Sequence, residues 1–571
     1  MKKYIYQQKF LLIGAIAIAI ICSILGVFLV QIIQKFIDGM LESEVNIIIE
    51  TSLMFILVLI LNFLFGYLLV VVEAQISKKL RISIKKDIFS AMLNFDYDDY
   101  RKNTVSSRLS IFENDINLVE SYYFENVFIL AKNSIMLILS MGYLMHLNAK
   151  VAIVLILCSI IILIVPTRLA NSIDTMNDDY LNMKAGFIEI LKDYLEGMDV
   201  IHAYRIEAQA KTNFELVLRK LEVQFYSLKK KIGFFMQISI MGNYLIMVIS
   251  LILGGFLVIN NEISIGGLVA ITQIMNLILQ PMSESGTAFI EIIGSQSIRK
   301  KIEDITEYKS KKKHIPYNNA PVVFKSIELR NVNYCTEDKQ FSIKDISLYL
   351  EAGKKYIILG PSGCGKTTLL KIIANIIDPI SGMLLMNDIE YKKQGNVISH
   401  VVSFVHQDTF IFDDTIKNNI CLYQNYEKNN VHEVVKMMNL QDRIKEDIDM
   451  KCAEGGRRLS GGEKQRIGLA RAILRDTPIL LLDEITSALD QENARTIIDR
   501  LFTLKNKTIV LVTHKIDMEI LRRADCIICM ESGRIVEQGS MYELINEKGI
   551  FYKFYATDFE IGAEDGISTT S

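Results

Sequence analysis

Gly360-Pro361-Ser362-Gly363-Cys364-Gly365-Lys366-Thr367-Thr368 is the stretch from which the rest of the chain can be read. It matches G-x-x-x-x-G-K-[ST], a loop whose glycines let backbone N–H groups converge on phosphate oxygens at a helix N-terminus. Its surroundings fit. Lys355-Tyr356-Ile357-Ile358-Leu359 reads as a short buried strand running into the loop, and Thr367 opens a helix through Ile377. That strand–loop–helix order is the one the motif requires. In such a loop Lys366 reaches the β- and γ-phosphates and Thr367 offers its hydroxyl to Mg²⁺. Alone, the loop implies a bound nucleoside triphosphate and nothing about what its energy drives.

A second apolar run, Ile479-Leu480-Leu481-Leu482, ends in Asp483-Glu484. An acid at the end of a buried strand near a phosphate loop suits metal coordination, which assigns Asp483 to Mg²⁺ beside Thr367. The following Glu484 is placed to orient and polarise water for attack on the γ-phosphate.

The first half of the chain has a different character. Of 571 residues, 50% are hydrophobic, and mean hydropathy is +0.27. The apolar excess sits before residue 285, in segments at about 10–33, 51–72, 127–147, 151–165, 234–260 and 265–281. A helix needs ~20 apolar residues to cross a bilayer core, which most of these supply. The short fourth segment is separated from the third by Asn148-Ala149-Lys150 and closed by Pro166, so the two read as a helical hairpin. The first run is longer than a signal h-region, and its A-x-A pattern at Ala15–Ala19 comes too early for cleavage.

Basic residues orient these spans. Lys2, Lys3 and Lys9 precede the first, an acidic turn with Glu42 and Glu44 follows it, and Lys78, Lys79, Arg81, Lys85 and Lys86 follow the second. Positive residues stay inside, so both termini are expected in the cytoplasm of a multi-pass cell-membrane protein. The long connections 73–126 and 166–233 are charged, helix-patterned and poor in breakers, and they read as helices extending into the cytosol. Gln273, Asn276 and Gln280 share one face of the sixth segment; they line a pathway or bond to neighbouring helices.

Net charge is −2, so no global basic field points to nucleic acid. The eight cysteines are scattered. The one close pair, Cys526 and Cys529, lies in an apolar strand at positions facing opposite ways, without a second pair to complete a metal site.

Residues 326–558 resemble the nucleotide-binding domain of ATP-binding cassette (ABC) proteins. Leu459-Ser460-Gly461-Gly462-Glu463-Lys464-Gln465 resembles the family signature, with Glu463 where glutamine is commoner. Gln407 resembles the glutamine that contacts Mg²⁺, Ser487-Ala488-Leu489-Asp490 the D-loop, and His514 the histidine that senses the γ-phosphate. Ala453 to Arg458 resembles the exporter X-loop; Thr104 to Asp115 and Glu196 to Tyr204 resemble the two coupling-helix regions. Asn331 to Tyr334 aligns with the strand before the adenine-stacking position, which here falls on Thr336.

The resemblance covers the whole chain and implies a type IV ABC exporter half-transporter. The expected fold is multidomain: an all-α six-helix transmembrane domain (1–308) with cytosolic extensions, a linker (309–325), an α/β P-loop ATPase (326–558) and an acidic tail (559–571). The implied catalytic residues are Glu484 and His514. ATP falls to Gly360, Pro361, Ser362, Gly363, Cys364, Gly365, Lys366, Thr367, Thr368, Gln407, Ser460, Gly461, Gly462 and Asp490, and Mg²⁺ to Thr367, Gln407 and Asp483. In the family, Ser460 to Gly462 bind the γ-phosphate held by the opposite subunit, so a chain with one such domain must dimerise. With loop, signature, Glu484 and His514 all intact, a second copy of this chain is favoured over a homologous half-transporter. The implied function is ATP-driven export of a drug, lipid or peptide by alternating access. A siderophore-like importer and a membrane-bound regulator are the alternatives, and the sequence does not name the substrate.

Overall fold

Lipid offers no hydrogen bonds, so a backbone that crosses it must satisfy itself, and in the computed structural model the long apolar runs are unbroken helices. The structure describes residues 1–101, 104–155, 157–158, 171–308, 323–335, 342–394, 397–441, 448–485, 491–513 and 518–553. They divide into two units: Met1–Phe95 with Tyr100–Lys309, and Asp96–Asp99 with Ser310–Ser571.

In the first unit the principal helices are α1 (Lys9–Leu41), α2 (Val45–Leu93), α3 (Glu125–Leu147), α4 (Asn171–Glu196), α5 (Met198–Tyr204), α6 (Glu207–Ile259) and α7 (Ile265–Gly294). Among the described residues, five helices are long and apolar enough to cross a membrane: α1, α2, α6, α7 and a run Ser107–Leu147 that ends in α3. Of the fourth expected segment, residue 156 and residues 159–165 lie outside the described residues. Its start is placed: Val151, Ala152 and Leu155 are buried in one cluster with Leu144, Ile246 and Ile271. The turn before it forms because Asn148 leaves the helical region (φ −161°, ψ 110°) and its side-chain oxygen accepts from Lys150 N and Val151 N at 3.1 and 3.2 Å.

α2 has 49 residues and α6 has 53. At 1.5 Å per residue each is roughly 70–80 Å long, more than twice a ~30 Å bilayer core. Residues 73–93 and 207–233 of the charged connections are therefore continuations of these helices. Between α4 and α6 the chain turns through the short α5, which ends at Arg205 in the left-handed region (φ 54°).

α3 and α7 are joined by two amide–carboxylate contacts. Asn133 Nδ2 donates to Glu284 Oε2 at 3.1 Å, and Asn126 Nδ2 donates to Glu291 Oε2 at 2.7 Å. Both partners step by seven residues, two helical turns, so the contacts repeat along a single seam. Gln280, expected on the polar stripe, donates to Glu284 Oε1 at 2.9 Å, whereas Gln273 and Asn276 line a cavity described below. Gln280 and Glu284 lie on the same helix, so this bond joins no neighbouring helix, and Gln273 and Asn276 are the stripe residues that face a cavity.

The second unit is built on two sheets. The strands are β1 (Ser326–Cys335), β2 (Ser342–Glu351), β3 (Lys355–Leu359), β4 (Ser381–Met386), β5 (Ile389–Glu390), β6 (Val402–Val405), β7 (Ile479–Asp483), β8 (Thr508–Val512), β9 (Cys526–Glu531) and β10 (Arg534–Gly539). One sheet has the order β2-β1-β4-β5 and is antiparallel. The other has the order β10-β9-β3-β8-β7-β6, parallel except for β10. Strands β3, β7 and β8 are buried at every residue, as unbroken apolar runs in a parallel sheet should be.

Alternation splits β3 between two cores. Ile357 and Leu359 pack with Leu480, Leu482 and Leu511, while Tyr356 and Ile358 pack with Leu481, Val510 and Val512 on the other face. The same alternation separates Cys529 from Cys526, and all eight cysteines are free thiols. Tyr334 packs against the second core; Thr336 lies outside the described residues.

Hydrogen bonds between transmembrane helices contribute roughly 0.6–2 kcal/mol each. Asn133→Ala should therefore lower the thermal unfolding midpoint of the detergent-purified protein by a few degrees. A variant as stable as the parent would mean that the Asn133–Glu284 contact contributes nothing.

Candidate nucleotide site

The phosphate loop is fixed at both ends by the parallel sheet and by α8 (Lys366–Ile373). Gly360 leaves β3 at φ 154°, where a Cβ would run into the carbonyl oxygen of Met530 on β9. Gly365, at φ 108°, starts α8 in a conformation that favours glycine. Lys366 is buried, and its ammonium donates to the loop carbonyls of Gly360 and Pro361 at 2.9 and 3.0 Å. The lysine is thus held across its own loop, with its charge at the place where phosphates would sit.

β7 lies two strands from β3 and delivers the acids. Asp483 is 2% exposed, and its Oδ1 accepts from Thr367 Oγ1 at 3.1 Å. Burial pushes the Asp483 carboxyl above its ordinary range, and the Thr367 hydrogen bond opposes this. The next residue turns sharply. Glu484 has φ 48°, an uncommon conformation for glutamate, and its N–H donates to Val512 O of β8 at 3.1 Å. This turn aims the Glu484 carboxylate at Gln407, whose Nε2 donates to Glu484 Oε2 at 2.7 Å. A cavity of about 350 Å³ is lined by Ser362, Gly363, Gly365, Lys366, Thr367 and Thr368 of the loop together with Gln407 and Glu484. The Thr367 hydroxyl meets the Asp483 carboxylate, and Gln407 lines the same cavity as Thr367. Hydroxyl, carboxylate and amide oxygens are the donor types a hard divalent cation takes, so the chemistry of these three residues fits Mg²⁺.

The signature residues are elsewhere. Ser460 is the N-cap of α9 (Gly461–Leu474). Its Oγ accepts from Glu463 N at 3.2 Å, and Glu463 Oε2 accepts from Ser460 N at 2.7 Å. Glu463 therefore closes a capping box, a role its side-chain oxygen fills at that signature position. Ser460 and Gly461 are exposed, and neither they nor Gly462 line the cavity around the phosphate loop. The first amides of a helix have no intrahelical acceptor, and here the Glu463 amide is taken by the Ser460 cap while Ser460 and Gly461 stay exposed. Gln465 links the two regions through its Nε2, which donates to Gln407 O at 3.4 Å.

Sequence reasoning missed Arg471 and Asn419. Asn419 is fully buried; its Nδ2 donates to Phe412 O and Thr415 O, and its Oδ1 accepts from Phe412 N and Arg471 Nη2. Arg471 Nη1 also donates to Phe410 O at 2.7 Å. Burial holds the Arg471 guanidinium below its ordinary value. This node fastens the segment after Gln407 to the signature helix. Its only trace in the sequence is an arginine inside an otherwise apolar helical run. His514, Asp490 and the rest of the D-loop, Ser487 to Leu489, lie outside the described residues.

Two family models match: "ABC transporter" over residues 343–487 and "ABC transporter transmembrane region" over residues 11–282. The chain belongs to the ATP-binding cassette transporters. It is a multi-pass membrane protein that binds nucleotide and couples ATP hydrolysis to export. It is 25% identical over 523 residues to an ATP-dependent lipid A-core flippase of Paraburkholderia xenovorans, covering 87% of this chain and 84% of the relative. A flippase of the same name from Burkholderia thailandensis is 26% identical over 512 residues, covering 87% and 83%. In fold the chain is similar to a bacterial Atm1-family ABC exporter solved with ATP bound: TM-score 0.84, 20% identity, covering 96% of this chain and 99% of that one.

Removing the Asn419 side chain strands several buried partners at once. Asn419→Ala should cost about 2–4 kcal/mol, since each buried polar group left unsatisfied costs about 1–3 kcal/mol. The check is a lower thermal midpoint with weakened ATPase activity. Unchanged stability would mean that water replaces the amide without loss.

Proposed function

We propose that this chain works as a homodimer that moves an amphipathic, lipid-like substrate outward, closing on two ATP molecules at sites shared between copies. One observation carries the shared-site reading: the phosphate loop gathers Lys366, Thr367, Gln407 and Glu484 around one cavity, yet the capped and exposed start of α9 lies outside it. A second copy supplies Ser460, Gly461 and Gly462 to the γ-phosphate. That assignment completes both half-sites with intact motifs, which favours an identical partner over a different half-transporter.

Within each site Lys366 holds the β- and γ-phosphates, exchanging its loop carbonyls for phosphate oxygens. Thr367, Gln407 and Asp483 would hold Mg²⁺, which when bound neutralises charge on the phosphates. Glu484 takes hydrogen bonds from the attacking water and polarises it, with Gln407 fixing the direction of its carboxylate. His514 senses the γ-phosphate and Asp490 belongs to the D-loop, both by family resemblance. The domain bounds 1–308, 309–325, 326–558 and 559–571 are part of the same proposal, as is the cytoplasmic placement of both termini.

Two features support the lipid-like substrate. The relatives named above are flippases of a lipid, and the first unit contains a cavity with apolar walls and a polar edge of Asn62, Lys132, Asn133, Gln273 and Asn276. ATP drives the cycle by binding the closed form better than the open one.

Glu484→Gln should reduce hydrolysis roughly 10²–10⁴-fold while nucleotide binding persists. Ordinary turnover in that variant would remove Glu484 from its role. In liposomes containing only this chain, fluorescent phospholipid or lipopolysaccharide should change leaflet with ATP and stay put with Glu484→Gln. Purified chain that binds ATP but moves neither probe would contradict the lipid assignment.

A further inference from the structure

Gln34 and Asp38 stand one turn apart near the end of α1 and hold α3 and α7 at one point. Asp38 Oδ1 accepts from Gly266 N at 2.9 Å, and Asp38 Oδ2 accepts from Ser264 Oγ at 2.9 Å. Ser264 Oγ also caps α7 by accepting from Gly267 N at 2.9 Å. Gln34 Oε1 accepts from the Tyr143 hydroxyl of α3 at 2.9 Å. The helices touch closely: a Cβ on Gly266 would run into Gln34 O and the Asp38 carboxylate. A carboxylate at the first amides of a helix is favoured by the helix dipole and by the unpaired N–H groups there. Asp38 is therefore a cap for α7 supplied from α1, 228 residues away in sequence.

The contact lies at one end of a cavity. An open cavity of about 470 Å³ is lined by Val30 and Ile33 of α1, with Asn62, Lys132, Gln273 and Asn276 at its polar edge. Ile33, in its wall, is the neighbour of Gln34. Beyond Asp38 come the turns at 42–44 and 260–264, which the distribution of basic residues puts outside the cell.

We propose that Asp38, with Gln34, is a latch that shuts the outer end of this cavity. Substrate leaves outward only when α1 releases Ser264 and Gly266 of α7 and Tyr143 of α3. The latch gives the outward-closed form its preference, and ATP-driven closure of the nucleotide domains must overcome it. This inference rests on the transport reading and on the orientation given above.

Spin labels at Glu42 and Glu262, both exposed near the latch, report its opening as a distance measured by pulsed electron resonance. The protein would be the full chain in lipid nanodiscs, with its native cysteines replaced and its ATPase matching the parent. Trapping with ATP and orthovanadate should lengthen the distance. Asp38→Ala, which removes both acceptors, should raise the long-distance population without nucleotide on the order of tenfold, the shift expected from losing two ordinary hydrogen bonds. Asp38→Asn keeps the shape and one acceptor oxygen, so it should raise that population less; it carries the test if the alanine variant does not fold. A parent that separates with ATP, beside Asp38 variants indistinguishable from it without ATP, overturns the latch alone. A parent that never separates removes the transport reading and the latch with it.

Discussion

Everything in the nucleotide half depends on the parallel pairing of β3, β8 and β7. The register sets Ile358 beside Val512 and Val512 beside Asp483. The loop leaving β3 and the acids leaving β7 therefore emerge at one edge of the sheet, although 116 residues separate Thr367 from Asp483. A one-residue slip would turn every side chain to the other face and send Asp483 into the apolar core. The strained Glu484 conformation is tolerable because the sheet below it is rigid, and the strain aims its carboxylate at Gln407 instead of along the strand.

The membrane half obeys a related constraint. Its backbone must satisfy itself, so the chain is helical almost throughout, and specificity falls to the few polar side chains that meet across helices. Among the described residues they include Asn126 with Glu291, Asn133 with Glu284, Gln34 with Tyr143, and Asp38 with Ser264 and Gly266. Each joins α7 or α3 to a neighbour. The cavity lies among the same helices, so the groups that fix their packing are also those placed to control access to it.

Elements whose signal is local were legible in the sequence. Lys355–Leu359 followed by a glycine loop can hardly be anything but a strand entering a phosphate site, and long apolar runs announce spans by length. Asn148 marks its turn with its own side chain. What could not be read were contacts between residues far apart. Glu291 is 165 residues from Asn126, and Arg471 is 52 from Asn419; no periodicity links either pair. Glu463 looked like a mere variant of the signature until its carboxylate was found on the Ser460 amide. The adenine-stacking position, Thr336, and His514 fall outside the described residues and stay as read from the sequence.

The central claim is that each ATP is bound by the phosphate loop of one copy and the signature of the other. Co-expression of Lys366→Ala chains with Ser460→Arg chains, each carrying a different affinity tag so that mixed dimers can be purified, tests it directly by ATPase assay. In a mixed dimer the intact loop of the second chain faces the intact signature of the first, so one whole site is rebuilt. The account predicts ATPase activity in the mixed dimer well above that of either variant alone. Mixed dimers as inactive as the two parent variants would show that loop and signature act within one chain, and would contradict it.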